Sequence, residues 1–348
     1  MSAVLRTRTV RDLLVVLVVV FGVGSIAMLL AHVSPIDGFA QLFDGAFGTP
    51  EEVGETLVQA AFLLFPALGI AVAFRAGLFN IGAEGQLVLG GFAAGWIGAQ
   101  LPMPAYLAIP AVLIAGALAG GAWGAIPGFL KARFGANEVI ATLMLNYVAV
   151  LLCTYLVTGP LQQGGSGASE TAALPKAAQL PDLIGLLADP HPTLAYVLTP
   201  FVIAVALAFV LRWLLFRTVF GYELRAAGDA PEAAKRAGID LGRTALLAMS
   251  ISGAIAGLGG ATIVAGELHR FNTGLSAGYG FIAIAVAIVG NLDPRWIIVA
   301  SIAFGMLQSG GIAMQAEAHV PKEVIALVTG LVIIALAGRR VVATRRTT

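Results

Sequence analysis

Ten stretches of the chain are apolar over about the length a helix needs to cross a bilayer, roughly 20 residues for a hydrocarbon core about 30 Å thick. They run over residues 13–33, 56–74, 81–101, 105–130, 139–158, 194–216, 244–265, 279–292, 296–311 and 324–337, and the eighth and ninth are short. The pattern predicts an all-α polytopic membrane protein of about ten transmembrane helices, folded as a single transmembrane domain over residues 1–348. Small residues four apart recur inside these runs, at Gly116, Gly120 and Gly124 and at Gly253 and Gly257. They let helix backbones approach closely, so a compact bundle is expected.

Charge orients the runs. With the N-terminus in the cytoplasm, every Lys and Arg falls on the cytoplasmic side except Lys176, Arg270 and Lys322. That asymmetry follows the positive-inside rule and places both termini inside. The first run is longer than the apolar core of a signal peptide and lacks a small-x-small cleavage site, so it reads as an uncleaved helix. Spans two to five and seven to ten enter the membrane in opposite directions, an arrangement that suggests an inverted repeat. Residues 159–193, rich in Gly, Ser and Pro, form an external loop, either a mobile surface loop or a docking surface. Residues 217–243 form a cytoplasmic segment.

Composition narrows the chemistry. The chain is 59 % hydrophobic and 11 % charged, with a mean hydropathy of +0.92, which a soluble domain with an ordinary polar surface does not show. A net charge of +1 with scattered Lys and Arg argues against a nucleic-acid partner. Cys153 is the lone cysteine, and the four histidines lack metal-ligand spacing. There is no G-x-x-x-x-G-K-[ST] phosphate loop, so the chain cannot itself hydrolyse ATP.

Polar residues stand out against this background. In "FRAGLFNIGAEGQ", residues 74–86, Arg75 ends the second span, Gly77 permits a tight turn, Asn80 is suited to capping a helix, and Glu84 lies about one turn into the third span. A polar hairpin tip accounts for most of these residues. Glu84 and Gln86 lie deeper, where an ionisable group costs about 2.5 kcal/mol or more unless paired or wetted, and they are expected to face the interior near a cytoplasmic gate. On the fifth span, Glu138, Thr142 and Asn146 share one helix face, and Asn137 and Glu138 suit the helix start. Near mid-membrane, the Asn146 amide either joins two helices or meets a substrate. Glu267, His269 and Arg270 form a small outer polar cluster, either solvated loop residues or contacts for a binding protein.

In "GYELRAAGDAPEAAKRAGID", residues 221–240, Asp229, Pro231 and Glu232 read as a helix start and Gly238 with Ile239 as its stop. A helix of about eight residues is unstable alone, so it docks either on the protein's own helix ends or on a separate cytoplasmic protein.

This segment resembles the cytoplasmic coupling segment of ABC importer permeases, through Arg225, Ala226, Gly228, Ala233, Ala234, Gly238 and Ile239. Asp229 stands where such families often have Asn. The hairpin motif, with "NEVIATLMLNYVA" at 137–149, "GFIAIAVAIVG" at 280–290 and "QSGGIAMQ" at 308–315, resembles the longer permease subunit of bacterial nucleoside importers. That group lies within the branched-chain amino acid and ribose permease superfamily. The resemblance implies a type II importer fold like that of vitamin B12 permeases, in the bacterial cytoplasmic (inner) membrane. It also implies three partners: a second permease subunit, a cytoplasmic ATPase with two nucleotide-binding halves that binds ATP and Mg, and a substrate-binding lipoprotein. No cofactor is expected in this chain.

On this reading Arg225, Gly228, Asp229, Glu232, Ala233, Arg236 and Gly238 couple the permease to the ATPase. A neutral nucleoside calls for amides, hydroxyls and apolar or aromatic walls, and Glu84, Gln86, Thr142, Asn146 and Phe281 are the candidates for its path. A permease for ribose or another simple sugar keeps the architecture and changes the cargo. An ion-coupled secondary transporter or channel fits less well, because Glu84 and Glu138 lie near helix ends and ionisable groups are otherwise missing from the deep spans. No enzyme-like nucleophile and base arrangement is present.

Overall fold

The computed structural model describes residues 21–100, 103–162, 169–181 and 192–344. Among them the regular secondary structure is helical, with a single isolated β-bridge between Glu170 and Asn272. The described residues fall into two compact units, one comprising residues up to Gln59 together with those from Ala303 onward, the other Ala60–Ile302.

In the first unit, α1 (Phe21–Leu30) and α2 (Pro35–Phe47) meet at an angle of 117°. The expected first span over 13–33 is therefore followed at once by a second helix that the hydropathy pattern did not predict; residues 13–20 lie outside the described residues. The break is local in origin. The Val33 and His32 N–H groups bond back to the Met28 and Leu29 carbonyls, closing α1 with His32 in the left-handed region, φ 58°. Ser34 then caps α2, with Pro35 in its first turn. α2 is amphipathic, burying Gly38, Leu42, Gly45 and Ala46, and so escapes a search for uniformly apolar runs. Met28 and Leu42 pack with Met314 and Val320, which flank the turn from α12 (Pro294–Ala316) to α13 (Lys322–Thr344).

The second unit carries the end of α3 (Pro50–Arg75), then α4 (Ala83–Gln100), α5 (Ala105–Phe134), α6 (Glu138–Thr158) and α7 (Pro192–Arg217). It continues through α8 (Val219–Asp229), α9 (Pro231–Arg236), α10 (Leu241–Ile263), α11 (Tyr279–Val289) and the start of α12. α4, α5 and α10 form its centre, and the glycine spacing explains why. A Cβ at Gly120 would strike the Gly253 carbonyl, and one at Gly257 the Gly116 carbonyl, so these backbones touch directly. Facing outward instead are large apolar side chains such as Leu118, Ile140, Leu151, Phe209 and Trp213. Apolar surface on the outside is what a lipid environment calls for.

Among the described residues six helices, including α3, α5, α6 and α12, are long and apolar enough to cross a membrane, and the bent α1–α2 pair passes the same test as a pair. The molecule is an all-α multi-pass membrane protein. α11, with 11 residues, is shorter than a full span.

Of the loop expected over 159–193, residues 169–181 are tied down. Thr171 and Leu174 donate to the Phe271 and His269 carbonyls, and Leu180 donates to that of Ala265. Buried Phe271 meets Phe92 edge-on at 5.5 Å. Residues 163–168 and 182–191 lie outside the described residues.

Candidate functional site

The turn from α3 to α4 is the place where polar groups are buried together. α3 ends at Arg75, and Gly77 reverses the chain at φ 73°, a conformation that favours glycine. Asn80 follows, fully buried. Its Nδ2 donates to Gln86 Oε1 at 2.9 Å and to Ser252 Oγ on α10 at 2.7 Å, while its Oδ1 accepts from the Gly82 N–H at 2.9 Å. Asn80 thus shapes an Asx-type turn just before α4 instead of capping the helix proper, because its carbonyl oxygen is taken by the residue two ahead.

Capping comes from another helix. The first N–H groups of any helix lack intrahelical partners. Here Asn146 Oδ1 on α6 accepts from Gly85 N–H at 2.9 Å, and its Nδ2 donates to the Ile81 carbonyl at 2.9 Å. Thr142 Oγ1, one turn earlier, accepts from Ile81 N–H at 3.3 Å and donates to the Glu138 carbonyl. Of the two roles open to Asn146, joining helices is the one these bonds display.

Glu84 lies in the first turn of α4, shallower than the full turn expected, because α4 starts at Ala83. Its carboxylate accepts from Gly280 N–H at 2.7 Å, at the start of α11. One carboxyl group therefore sits at the N-terminal ends of two helices, where backbone N–H groups lack intrahelical partners. A Cβ on Gly280 would strike the Glu84 backbone nitrogen, so only glycine allows this approach.

The structure brings Glu84, Gln86, Thr142 and Asn146 into one buried cluster. Phe281 stands beside Gly280 but is 44 % exposed and outside the bonded network. Glu138 pairs with Lys131 at 2.9 Å, and Asn137 caps α6 by accepting from the Val139 and Ile140 N–H groups. In the stretch expected to lie outside, Arg270 pairs with Glu170 at 2.7 Å, Glu267 is exposed, and His269 adopts φ 53°. Ser252 and Gly280 were missed by sequence reasoning; α10 carries four hydroxyls, on Thr244, Ser250, Ser252 and Thr262, and nothing along the chain set Ser252 apart from the others.

The segment over 217–243 differs locally from expectation. Two helices occur there, and Asp229 ends the first instead of starting the second. Thr218 supplies the reason, since its hydroxyl accepts from Gly221 N–H and starts α8 early enough to absorb residues 219–229. α9 begins at Pro231 with backbone Ala230 as its cap. It closes in the expected way, with Gly238 at φ 87° bonding Lys235 and Ile239 bonding back to Ala234.

α8 buries Gly221, Leu224 and Ala227, and Arg225 Nε donates to the Leu215 and Gly221 carbonyls. Gly228 rests on the α3–α4 turn so closely that a Cβ there would meet the Arg75 carbonyl and, at 2.7 Å, the Gly77 nitrogen. A cleft of about 380 Å³ opens beside this contact, lined by Gly77, Lys131, Gly228, Pro231 and Thr244 among others. Glu232, Ala233, Lys235 and Arg236 on α9 are exposed, with only Ala234 of that helix buried.

Residues 53–337 match the family described as Branched-chain amino acid transport system / permease component. The chain belongs to that permease family. It is 36 % identical over 331 residues to the Guanosine ABC transporter permease protein NupP of Bacillus subtilis, covering 93 % of this chain and 92 % of that one. It is 34 % identical to the Nucleoside ABC transporter permease protein NupB of Lactococcus lactis subsp. cremoris, covering 95 % and 92 % of the two chains. The Glucose ABC transporter permease protein TsgB13 of Haloferax volcanii is 34 % identical, covering 90 % and 83 %. No solved structure matches the chain. As a permease component, the chain is a membrane subunit and not an enzyme.

Proposed function

We propose that this permease is the transmembrane subunit of an ATP-driven importer that moves nucleosides across a bacterial cytoplasmic membrane by alternating access. The observation that carries this reading is the likeness to the guanosine and nucleoside permeases over more than nine-tenths of both chains. The proposal includes ten spans with both termini in the cytoplasm, spans two to five and seven to ten related as an inverted repeat, and a type II importer fold. Its partners are a second permease subunit, an ATPase with two nucleotide-binding halves that binds ATP and Mg, and a substrate-binding lipoprotein.

Mechanistically, the ATPase docks on exposed α9 and the end of α8, through Asp229, Glu232, Ala233, Arg236 and Gly238, while Arg225 and Gly228 couple that surface to the helices behind it. Because Gly228 lies backbone to backbone on the α3–α4 turn, movement of α8 displaces that turn. The turn carries Asn80, which bonds Ser252 on α10, and Ile81, which is held by Asn146 on α6, while Glu84 holds α11. Glu84, Gln86, Thr142, Asn146 and Phe281 then line or flank the nucleoside path, their bonded groups changing partners as the cavity changes the face it opens to.

Likeness to the glucose permease supports a second reading, in which the cargo is glucose, ribose or another simple sugar. Uptake of labelled guanosine, adenosine, ribose and glucose by cells with and without the gene, before and after ATP depletion at clamped membrane potential, separates the two. ATP-dependent nucleoside uptake that disappears with the gene is the expected result. Loss of sugar uptake alone would move the cargo, and uptake indifferent to ATP would remove the assignment.

A further inference from the structure

The last turn of α7 carries Phe216, and three guanidinium groups gather on its ring. The central carbons of Arg75, Arg212 and Arg225 lie 5.5, 5.3 and 5.1 Å from the ring centroid. They come from three elements, the end of α3, α7 itself and α8. Arg295, in the first turn of α12, joins them through Asp293, which pairs with Arg212 at 3.1 Å and with Arg295 at 3.5 Å.

Among the described ion pairs, Asp293 is the carboxylate set against these four cations, and it is shared by two of them. Arg75 donates to the Asn291 and Leu292 carbonyls at 3.2 Å, and Arg225 to those of Leu215 and Gly221. Carbonyl dipoles and the ring face supply only partial charges. Like charges held this close on a half-buried surface repel, and salt screens them incompletely. The arrangement has the composition of an anion site.

Its surroundings indicate which anion. Trp213 and Trp296, beside Arg212 and Arg295, are each 60 % exposed. α8 turns Val219 and Tyr222 outward, 74 % and 62 % exposed. Indole and phenol rings at the ends of apolar helices mark the depth of the membrane–water interface, where phospholipid phosphates lie. A soluble anion gains nothing from exposed indoles, whereas a lipid presents a phosphate to the arginines and a glycerol and acyl region to the rings.

We infer that the arginine cluster around Phe216 binds the phosphate headgroup of an anionic phospholipid, with Trp213 and Trp296 packing beside its acyl and glycerol region. The bound lipid joins the ends of α3 and α7, the helix α8 and the α11–α12 turn, making this junction responsive to membrane composition. This inference is independent of the cargo.

The test uses the purified chain in neutral detergent, titrated with phosphatidylglycerol or phosphatidylcholine in mixed micelles and read by native mass spectrometry and thermal unfolding. Phosphatidylglycerol is expected to be retained and to raise the unfolding temperature, with phosphatidylcholine doing neither, and added salt should weaken the effect. Arg75→Gln and Arg225→Gln should each lower relative affinity for phosphatidylglycerol by about fivefold, the share of one interfacial cation. Arg295→Gln, at a side chain 55 % exposed, serves if the other two variants do not fold. Equal retention of the two lipids, or unchanged phosphatidylglycerol retention in the variants that fold, would overturn the inference. So would soluble glycerol 3-phosphate that displaces the lipid and stabilises the chain equally, since the site would then serve a free phosphoester.

Discussion

Asn146 holds two backbone groups of the α3–α4 turn, and truncating it leaves Gly85 N–H and the Ile81 carbonyl buried without that partner. Asn146→Ala should therefore destabilise the chain by about 1–3 kcal/mol for each group left unpaired, seen as a lower unfolding temperature in detergent. An unchanged unfolding temperature with weakened substrate affinity would instead place Asn146 on the path alone. Asp293 gives a pH-dependent counterpart. Burial pushes its carboxyl upward, but the Arg295 N–H and side chain and the Arg212 charge outweigh burial and leave the pKa below its ordinary value of 3.8. A depressed folded-state pKa contributes stability above the unfolded value, and that stability is lost as the pH falls through the folded one. Asp293→Asn should thus be less stable than the parent at neutral pH, and the two should converge in acid below the folded pKa, as followed by thermal unfolding across pH. At this scale the sequence made Asn146 conspicuous, since an amide in mid-membrane needs partners. It did not identify those partners, which belong to a turn more than 60 residues away.

At the scale of elements, two glycine contacts set where helices meet. Gly280→Ala forces a methyl group onto the Glu84 backbone, so α11 must withdraw from α4. Overpacking of this kind costs about 1–3 kcal/mol, and the expected outcome is lowered thermal stability together with reduced uptake. Gly228→Val should separate α8 from the α3–α4 turn while leaving α9 exposed for docking. In the assembled importer, hydrolysis by the partner ATPase is expected to persist while uptake falls about tenfold or more, from overpacking of roughly 1–3 kcal/mol. Equal loss of both activities would mean that the contact serves assembly and not transmission. Helix ends were legible where their signals were local, as with Asn137 before α6 and Gly238 after α9. The signal failed at Asp229, where Thr218, eleven residues earlier, had already begun the helix that absorbs it. α2 went unseen because only one of its faces is apolar.

For the whole molecule, reversing one exposed charge on α9 tests the division of labour between permease and ATPase. Glu232→Lys is expected to leave the chain folded and membrane-inserted yet uncouple hydrolysis from uptake, measured as ATP consumed per nucleoside imported in reconstituted vesicles. An unchanged ratio would remove Glu232 from the coupling surface. The sequence by itself determined that this is a multi-pass helical membrane protein, where most of its helices lie, and that it cannot hydrolyse ATP on its own. Those properties depend on the local sum of side-chain transfer energies, on capping within a turn, and on the presence or absence of a contiguous motif. Only the tertiary structure decided that Glu84 meets Gly280, 196 residues away, that Asn146 caps α4 from α6, and that three arginines from separate elements share one phenyl ring. A buried polar group must find a partner, but which partner depends on the faces that close packing brings together, and no local pattern along the chain encodes that choice.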